Sequence, residues 1–241
     1  MKFLEIREVT KNFGGLLAND RISFEMSQGE ILGLVGPNGA GKTTLFNCIS
    51  GYYPVSSGKI ILEGRNITNN APYQICTRGI ARTFQIVQNF QKMTALENVM
   101  IGAFLNHKGR KDSYEKSLEV LRFIDLIDKR NDLARNLSPP EQRRLGLGMA
   151  LATEPKLLML DEAMAGLTPM EIDDVLDLLR KIRDSGVSII VIEHLMRAVM
   201  NVSDRVIVLD YGSKIAEGMP KEIVQNEAVI KAYLGRSYAG R

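Results

Sequence analysis

Apolar residues fall along this chain in two rhythms. Over residues 3–9 and 22–26 they alternate loosely with polar ones, as in antiparallel strands with one wet face. Gln28-Gly29 then reads as a turn. Over residues 31–35, 156–160 and 187–192 the runs are almost continuously apolar, the mark of strands buried on both faces. Shorter strands are read at 59–62, closed by Glu63-Gly64, and at 80–85, ending in Gln85. Helical patterns lie between them: 44–50, stopped by Gly51; 71–78, with Pro72 in its first turn; 195–201; and 220–234. The clearest is 170–184, with Ile172, Val175, Leu176, Leu179 and Ile182 on one face and Gly186 just past its end. Residues 205–209 and 213–216, around Tyr211-Gly212, read as a hairpin.

Strand–helix alternation predicts an α/β fold with a parallel core sheet, entered through an antiparallel β edge. From about residue 93 to residue 151 strand signals vanish. Residues 96–101 look helical, 107–111 read as a loop, and 114–127 carries Leu118, Leu121, Ile124, Leu126 and Ile127 at helical spacing. The reading is one domain over residues 1–241, its α/β part at 1–85 and 152–241 and an inserted helical lobe at 86–151.

Composition narrows the class without choosing a function. Hydrophobic residues are 45% and charged residues 24% of 241, an ordinary globular balance. Net charge is +3 with the signs well mixed, too weak to argue for nucleic acid. Cys48 and Cys76 are far apart, which suggests a reducing compartment and no disulfide or zinc framework. The first residues carry charges at once and do not resemble a signal peptide. No window approaches the ~20 apolar residues that span a bilayer, so a membrane role is expected to come through a partner.

The chemistry starts at Gly36-Pro37-Asn38-Gly39-Ala40-Gly41-Lys42-Thr43-Thr44, which fits G-x-x-x-x-G-K-[ST]. Its glycines let successive backbone N–H groups turn inward around phosphate oxygens. Lys42 supplies a compact positive charge for the β- and γ-phosphates, and the Thr43 hydroxyl a ligand for Mg²⁺. A buried strand before and a helix after are the context this loop needs. Asp161-Glu162 ends the second buried strand. A carboxylate there can hold Mg²⁺, and Glu162 can polarise a water for attack on the γ-phosphate; alone, the pair would read as an acidic strand exit. Gln85 can touch both metal and water. His194, at the exit of the third buried strand, can bond the γ-phosphate or orient Glu162. Parallel sheets place ligands at the carboxyl ends of their strands, where all these residues fall. Phe13, read by itself, is better explained by a small core or turn aromatic than by a stacking platform. The guanine-reading motif of a GTPase, Asn-Lys-x-Asp, is absent.

The order Phe13, P-loop, Gln85, Leu137-Ser138, Asp161-Glu162, His194 resembles the ATP-binding subunit of ABC transporters over essentially the whole chain. The nearer resemblance is to the larger ATPase subunit of branched-chain amino-acid importers. It is carried by Arg82-Thr83-Phe84-Gln85, Leu96-Glu97-Asn98-Val99, Ala165-Gly166-Leu167, Ile192-Glu193-His194 and Ala232-Tyr233-Leu234-Gly235. The related lipopolysaccharide-export ATPase shares the ending but differs around Gln85. The resemblance implies a P-loop NTPase of the ABC kind that hydrolyses ATP with Mg²⁺. Phe13 would stack on adenine, residues 36–44 would cradle phosphate, Gln85 would be the Q-loop, His194 the switch residue, and Ser138 would act in trans on a second subunit's nucleotide. The implied partners are a second ATPase chain, two transmembrane permease chains and, indirectly, a solute-binding protein, with the chain peripheral on the cytoplasmic face of the membrane. Urea or amide import, lipopolysaccharide export and a regulatory ABC ATPase are the alternatives. ABC ATPases of DNA or ribosomes usually carry long coiled-coil insertions or paired domains; this chain shows neither, so no nucleic acid is expected.

Three departures from the family pattern stand out. The signature Leu-Ser-Gly-Gly-Gln is Leu137-Ser138-Pro139-Pro140-Glu141 here. Prolines have no N–H to cap a facing γ-phosphate. Each lost charge-assisted bond costs roughly 1.5–3 kcal/mol, about tenfold or more in closure of the sandwich. The proline usual after Asp-Glu is Ala163, and the aspartate usual in the following loop is Thr168. The expectation is an asymmetric dimer, in which this chain hydrolyses ATP on its own P-loop under a partner's intact signature.

Overall fold

The computed structural model describes residues 2–83, 89–162, 164, 166–193 and 195–238, the last five in backbone only. The chain opens with two long antiparallel strands, β1 (Lys2–Phe13) and β2 (Leu16–Ser27), and returns with β3 (Ile31–Val35). α1 (Lys42–Ile49) follows, then β4 (Ser57–Leu62), β5 (Arg65–Asn66), α2 (Pro72–Thr77) and β6 (Ile80–Arg82). Next come α3 (Ala95–Ala103), α4 (Arg110–Phe123), two single 3₁₀ turns and α5 (Pro139–Leu151). β7 (Leu157–Asp161), α6 (Pro169–Asp184), β8 (Ser188–Ile192) and α7 (Met196–Val202) bring the chain back to strand–helix alternation. The hairpin β9 (Arg205–Asp210) and β10 (Ser213–Gly218) precedes α8 (Pro220–Ile223) and α9 (Glu227–Tyr238).

Two sheets result. An antiparallel one runs β2-β1-β4-β5; the other runs β10-β9-β3-β8-β7-β6, parallel except for β10. β3, β7 and β8 are buried at every position because both faces of the second sheet are covered. On one face Leu32, Leu34, Met159 and Ile192 pack with α1 and the antiparallel sheet. On the other, Ile31, Val35, Leu158, Leu160 and Val191 pack against α5, α6, α7, α8 and α9. α3, α4 and α5 enclose a third core around Val99, Leu121, Ile124 and Leu145. Gly102 and Gly148 let these helices approach: a Cβ on Gly148 would sit 2.5 Å from Ile124 Cδ1, and one on Gly102 2.2 Å from the Met149 carbonyl oxygen.

Several expected boundaries move for local reasons. α4 begins at Arg110 and stops at Phe123, because Asp125 takes a left-handed φ of 57° and turns the chain. The single terminal helix expected at 220–234 is two. Asn226 interrupts it, its Oδ1 accepting from the N–H groups of Ala228 (3.0 Å) and Val229 (3.3 Å) and so capping α9. β6 ends at Arg82, and the remainder of the strand expected to reach Gln85 lies outside the described residues.

Candidate active site

Gly36 to Gly41 form a loop bent tightly between β3 and α1. Gly36, Gly39 and Gly41 take φ values of 153°, 79° and 96°, which L side chains rarely adopt. Neighbours hold the loop from behind. The Ala40 N–H donates to the Pro37 carbonyl oxygen (3.1 Å), Gly212 N–H to Ala40 O (3.1 Å) and Asn19 Nδ2 to Gly41 O (3.1 Å). A Cβ on Gly41 would meet Ala18 O at 2.4 Å, so the β2 backbone requires glycine there. Lys42 is 5% exposed, and its ammonium donates to the carbonyl oxygens of Gly36 (2.7 Å) and Pro37 (3.0 Å). The charge is thus folded into the loop's concavity. The first turn of α1 carries no acidic residue, so its N–H groups and dipole keep their positive potential. Thr43 is exposed on that turn and Thr44 half-buried.

The sheet sets the acidic residues against this loop. β8 lies between β3 and β7, with Leu34 paired to Ile192 and Ile192 to Asp161. Asp161 is therefore level with the strand residue two before Gly36, about 10 Å away across two strand spacings. It is buried and paired with Arg82, whose Nη2 donates to Oδ2 at 2.9 Å. Glu162, next along, is held at φ 50° with its N–H donating to Ile192 O (2.9 Å). A left-handed glutamate costs about 1–2 kcal/mol, and the surrounding β7–β8 pairing holds it there. Glu193 is 3% exposed and accepts from the Met164 N–H at 2.6 Å, anchoring the loop that follows Glu162.

Thr43 and Asp161 are both hard oxygen donors, the kind Mg²⁺ takes. No group of three His, Cys, Asp or Glu that could hold a metal occurs among the described residues. Mg²⁺ is usually bound through one or two protein oxygens together with substrate phosphates. Gln85 and His194 lie outside the described residues, as does Ala163.

Phe13 ends β1 and is 43% exposed, so it is no core residue. Its ring stands edge-on to Tyr53 with centroids 5.3 Å apart, and Lys11 Nζ lies 4.6 Å above it. Lys11 pairs with Asn19, which reaches Gly41, so the Phe13 tip lies just beyond the P-loop's support. Ser138 is exposed at the cap of α5, with Pro139 and Pro140 in the first turn, where helices tolerate missing N–H groups. Glu141 Oε2 accepts from the Ser138 N–H at 2.8 Å. Thr168 caps α6, its N–H donating to Glu171 Oε2 at 2.7 Å; the departure from aspartate preserves a capping side chain.

Beside Glu162 opens a largely apolar cavity of about 610 Å³, walled among others by Tyr73, Arg82, Ile101, Leu105, Leu147 and Leu179. It lies where α2 and β6 meet α3, α5 and α6. Arg82, Glu193 and Tyr233 stand in motifs that carry the family resemblance, but the contacts they make could not be read from the chain alone. Burial raises the Tyr233 hydroxyl pKa, and the hydroxyl donates to Met196 Sδ at 3.8 Å, which links α9 to α7.

Comparison with known proteins agrees with this geometry. The ABC transporter family model matches residues 19–165, and a model for the branched-chain amino acid ATP-binding cassette transporter matches 213–239. The high-affinity branched-chain amino acid transport ATP-binding protein BraF of Pseudomonas aeruginosa is 37% identical, covering 97% of this chain and 98% of the relative. The LivG protein of the same description from Escherichia coli K12 is 36% identical with the same coverage. The crystal structure of a nucleotide-free ATP-binding cassette from an ABC transporter superposes with a TM-score of 0.88 at 30% identity, covering 97% of this chain and 99% of that one. A cassette crystallised in its ADP conformation gives 0.89 at 31%, covering 98% and 99%. The chain belongs to the ABC transporter family of ATP-binding cassettes, in its branched-chain amino acid branch.

Proposed function

We propose that this chain is one ATPase subunit of an importer for branched-chain or related amino acids. The carrying observation is Lys42 folded into a glycine loop at the level of Asp161-Glu162, in a chain related end to end to transport ATP-binding proteins. Lys42 and the N–H groups of residues 38–44 bind the β- and γ-phosphates of ATP, and Phe13 receives the adenine face. Mg²⁺, held by Thr43 and Asp161 with Gln85, would neutralise charge on the phosphate oxygens and fix their geometry. Glu162 polarises the attacking water. The bond from γ-phosphorus to the β,γ-bridging oxygen breaks, and ADP and phosphate leave. His194 hydrogen-bonds the γ-phosphate.

The site is completed by a second ATPase chain, whose signature loop covers this P-loop while Ser138 faces the partner's nucleotide. Pro139 and Pro140 remove two N–H donors from that facing surface, so the two sites of the pair are unequal. Among the described residues no helix is long and apolar enough to cross a membrane. Contact with two permease chains falls to the cavity near Arg82, which suits a short permease helix presented at the cytoplasmic face. A solute-binding protein supplies the amino acid to the permeases.

ATP turnover by the wild type and by Glu162→Gln, each alone and mixed with the partner ATPase, tests this reading. Turnover concentrated in the mixture and lost with Glu162→Gln is the expected result. Full turnover by the chain alone would replace the unequal pair with a homodimer, and none in any mixture would leave a nucleotide-binding regulator.

A further inference from the structure

Both terminal nitrogens of Arg82 are tied down. It ends β6 opposite Met159, and its side chain crosses to α1 on the sheet face that Ile80 and Met159 share. One Nη1 donates to Asn47 Oδ1 and to Ser50 Oγ (3.1 Å). The guanidinium lies 4.8 Å from the Phe46 ring centroid and 5.3 Å from that of Tyr52. Its other end holds Asp161 Oδ2 at 2.9 Å, with both side chains almost fully buried. A guanidinium bound this way is a fixture, not an arm that swings aside when a metal arrives.

Carboxylates that bind metals are themselves oriented by hydrogen bonds, and losing the orienting partner typically weakens the metal about 10–100-fold. Arg82 has the chemistry to orient one, because its planar, always-charged guanidinium, held at Nη1 by Asn47 and Ser50, aims one N–H of Nη2 at a single carboxylate oxygen. We infer that Arg82 is a positioning residue for the metal, holding Asp161 in the orientation that Mg²⁺ requires and fastening it to the C-terminal end of α1. The inference rests on the reading of Asp161 as a metal ligand. Arg82 also lines the apolar cavity, so one residue borders both the cavity and the carboxylate read as a metal ligand.

Mn²⁺ binding to the full-length chain with ADP, followed by electron paramagnetic resonance, tests this without turnover. Arg82→Met is expected to weaken Mn²⁺ about 10–100-fold while leaving ADP binding in EDTA within about twofold. Arg82→Lys keeps the charge but not the fork and is expected to fall between. Asn47→Ala, which frees one end of the guanidinium, is expected to weaken Mn²⁺ about threefold or more and carries the test if Arg82→Met does not fold. A strut with no bearing on the metal would lower the melting temperature and leave the Mn²⁺ constant unmoved. That result, or tighter Mn²⁺ binding, overturns the inference. Asp161→Asn is the separating arm: if it too leaves Mn²⁺ unchanged, the assignment of the metal site falls and the role of Arg82 with it.

Discussion

The ammonium of Lys42 lies 2.7 Å from the carbonyl oxygen of Gly36, inside a loop that its own positive charge keeps closed. With phosphate present the same three donors have a stronger acceptor available, because charge-assisted hydrogen bonds are roughly twice as strong as neutral ones. Lys42→Ala is therefore expected to weaken ADP and ATP binding at least about tenfold, a loss of ~1.4 kcal/mol or more. Titration with a fluorescent nucleotide reads it directly. Affinity unchanged in the variant would mean that the ammonium serves loop closure alone.

α3, α5 and α6 each begin with a glutamate that reaches back to the cap N–H, and there the device is sensitive to acid. Glu97, Glu141 and Glu171 accept from the N–H groups of Thr94, Ser138 and Thr168 at 2.8, 2.8 and 2.7 Å. These bonds, before any other cause at each residue, hold the three carboxyls below their ordinary value of 4.5. A folded pKa below the unfolded one means that the unfolded chain binds protons first as pH falls. The support these groups give is whole above about pH 4.5 and drains away as pH falls through the lowered folded values. Replacing all three by glutamine keeps an acceptor but removes the titration. Urea midpoints between about pH 5 and 3 are expected to fall less steeply in the triple variant; parallel curves would refute the assignment.

How much of this was legible beforehand follows from what each residue touches. β3, β7 and β8 are plain in the chain because both sheet faces are covered and every position is apolar. α6 is plain because one face is wet. α5 is not, because Pro139, Pro140, Gly146 and Gly148 all count against a helix locally. Two sit where a first turn tolerates them, and Gly148 is demanded by Ile124 of another segment. The break before α9 hides in one Asn side chain. The P-loop announces itself by spacing, whereas Arg82 and Glu193 act on partners 79 and 29 residues away, beyond any local pattern.

The two cysteines report on the core and the cavity separately. Burial, only partly offset by Lys11, pushes the Cys48 thiol up to about 11, so thiolate is scarce at neutral pH. Burial also raises Cys76, but it is half-buried and lines the cavity. Maleimide treatment at about pH 7.5 is expected to mark Cys76 alone in the folded chain and both residues in urea, as mass spectrometry would show. Assembly with the permeases is expected to slow labelling of Cys76 severalfold. Equal rates in the free and assembled states would place the permease contact elsewhere.

Pro139 and Pro140 set two demands against each other. In the first turn of α5 they are conformationally suited, and their fixed φ limits the unfolded chain. Toward a facing nucleotide they present no N–H. Replacing both by glycine is expected to cost this subunit ~1–2 kcal/mol of stability, since each proline contributes roughly 0.4–1 kcal/mol through the unfolded state. The same change returns up to two donors to the helix N-terminus, where an anion gains roughly 1.5–3 kcal/mol from each charge-assisted bond. The double variant is thus expected to melt a few degrees lower and yet tighten ATP-dependent pairing about tenfold or more with a partner whose own P-loop it faces. Sedimentation of the mixture with ATP and the Glu162→Gln background reads pairing without turnover. A variant that melts lower and pairs no better would show that the facing nucleotide is held without this loop, and that the two sites are alike.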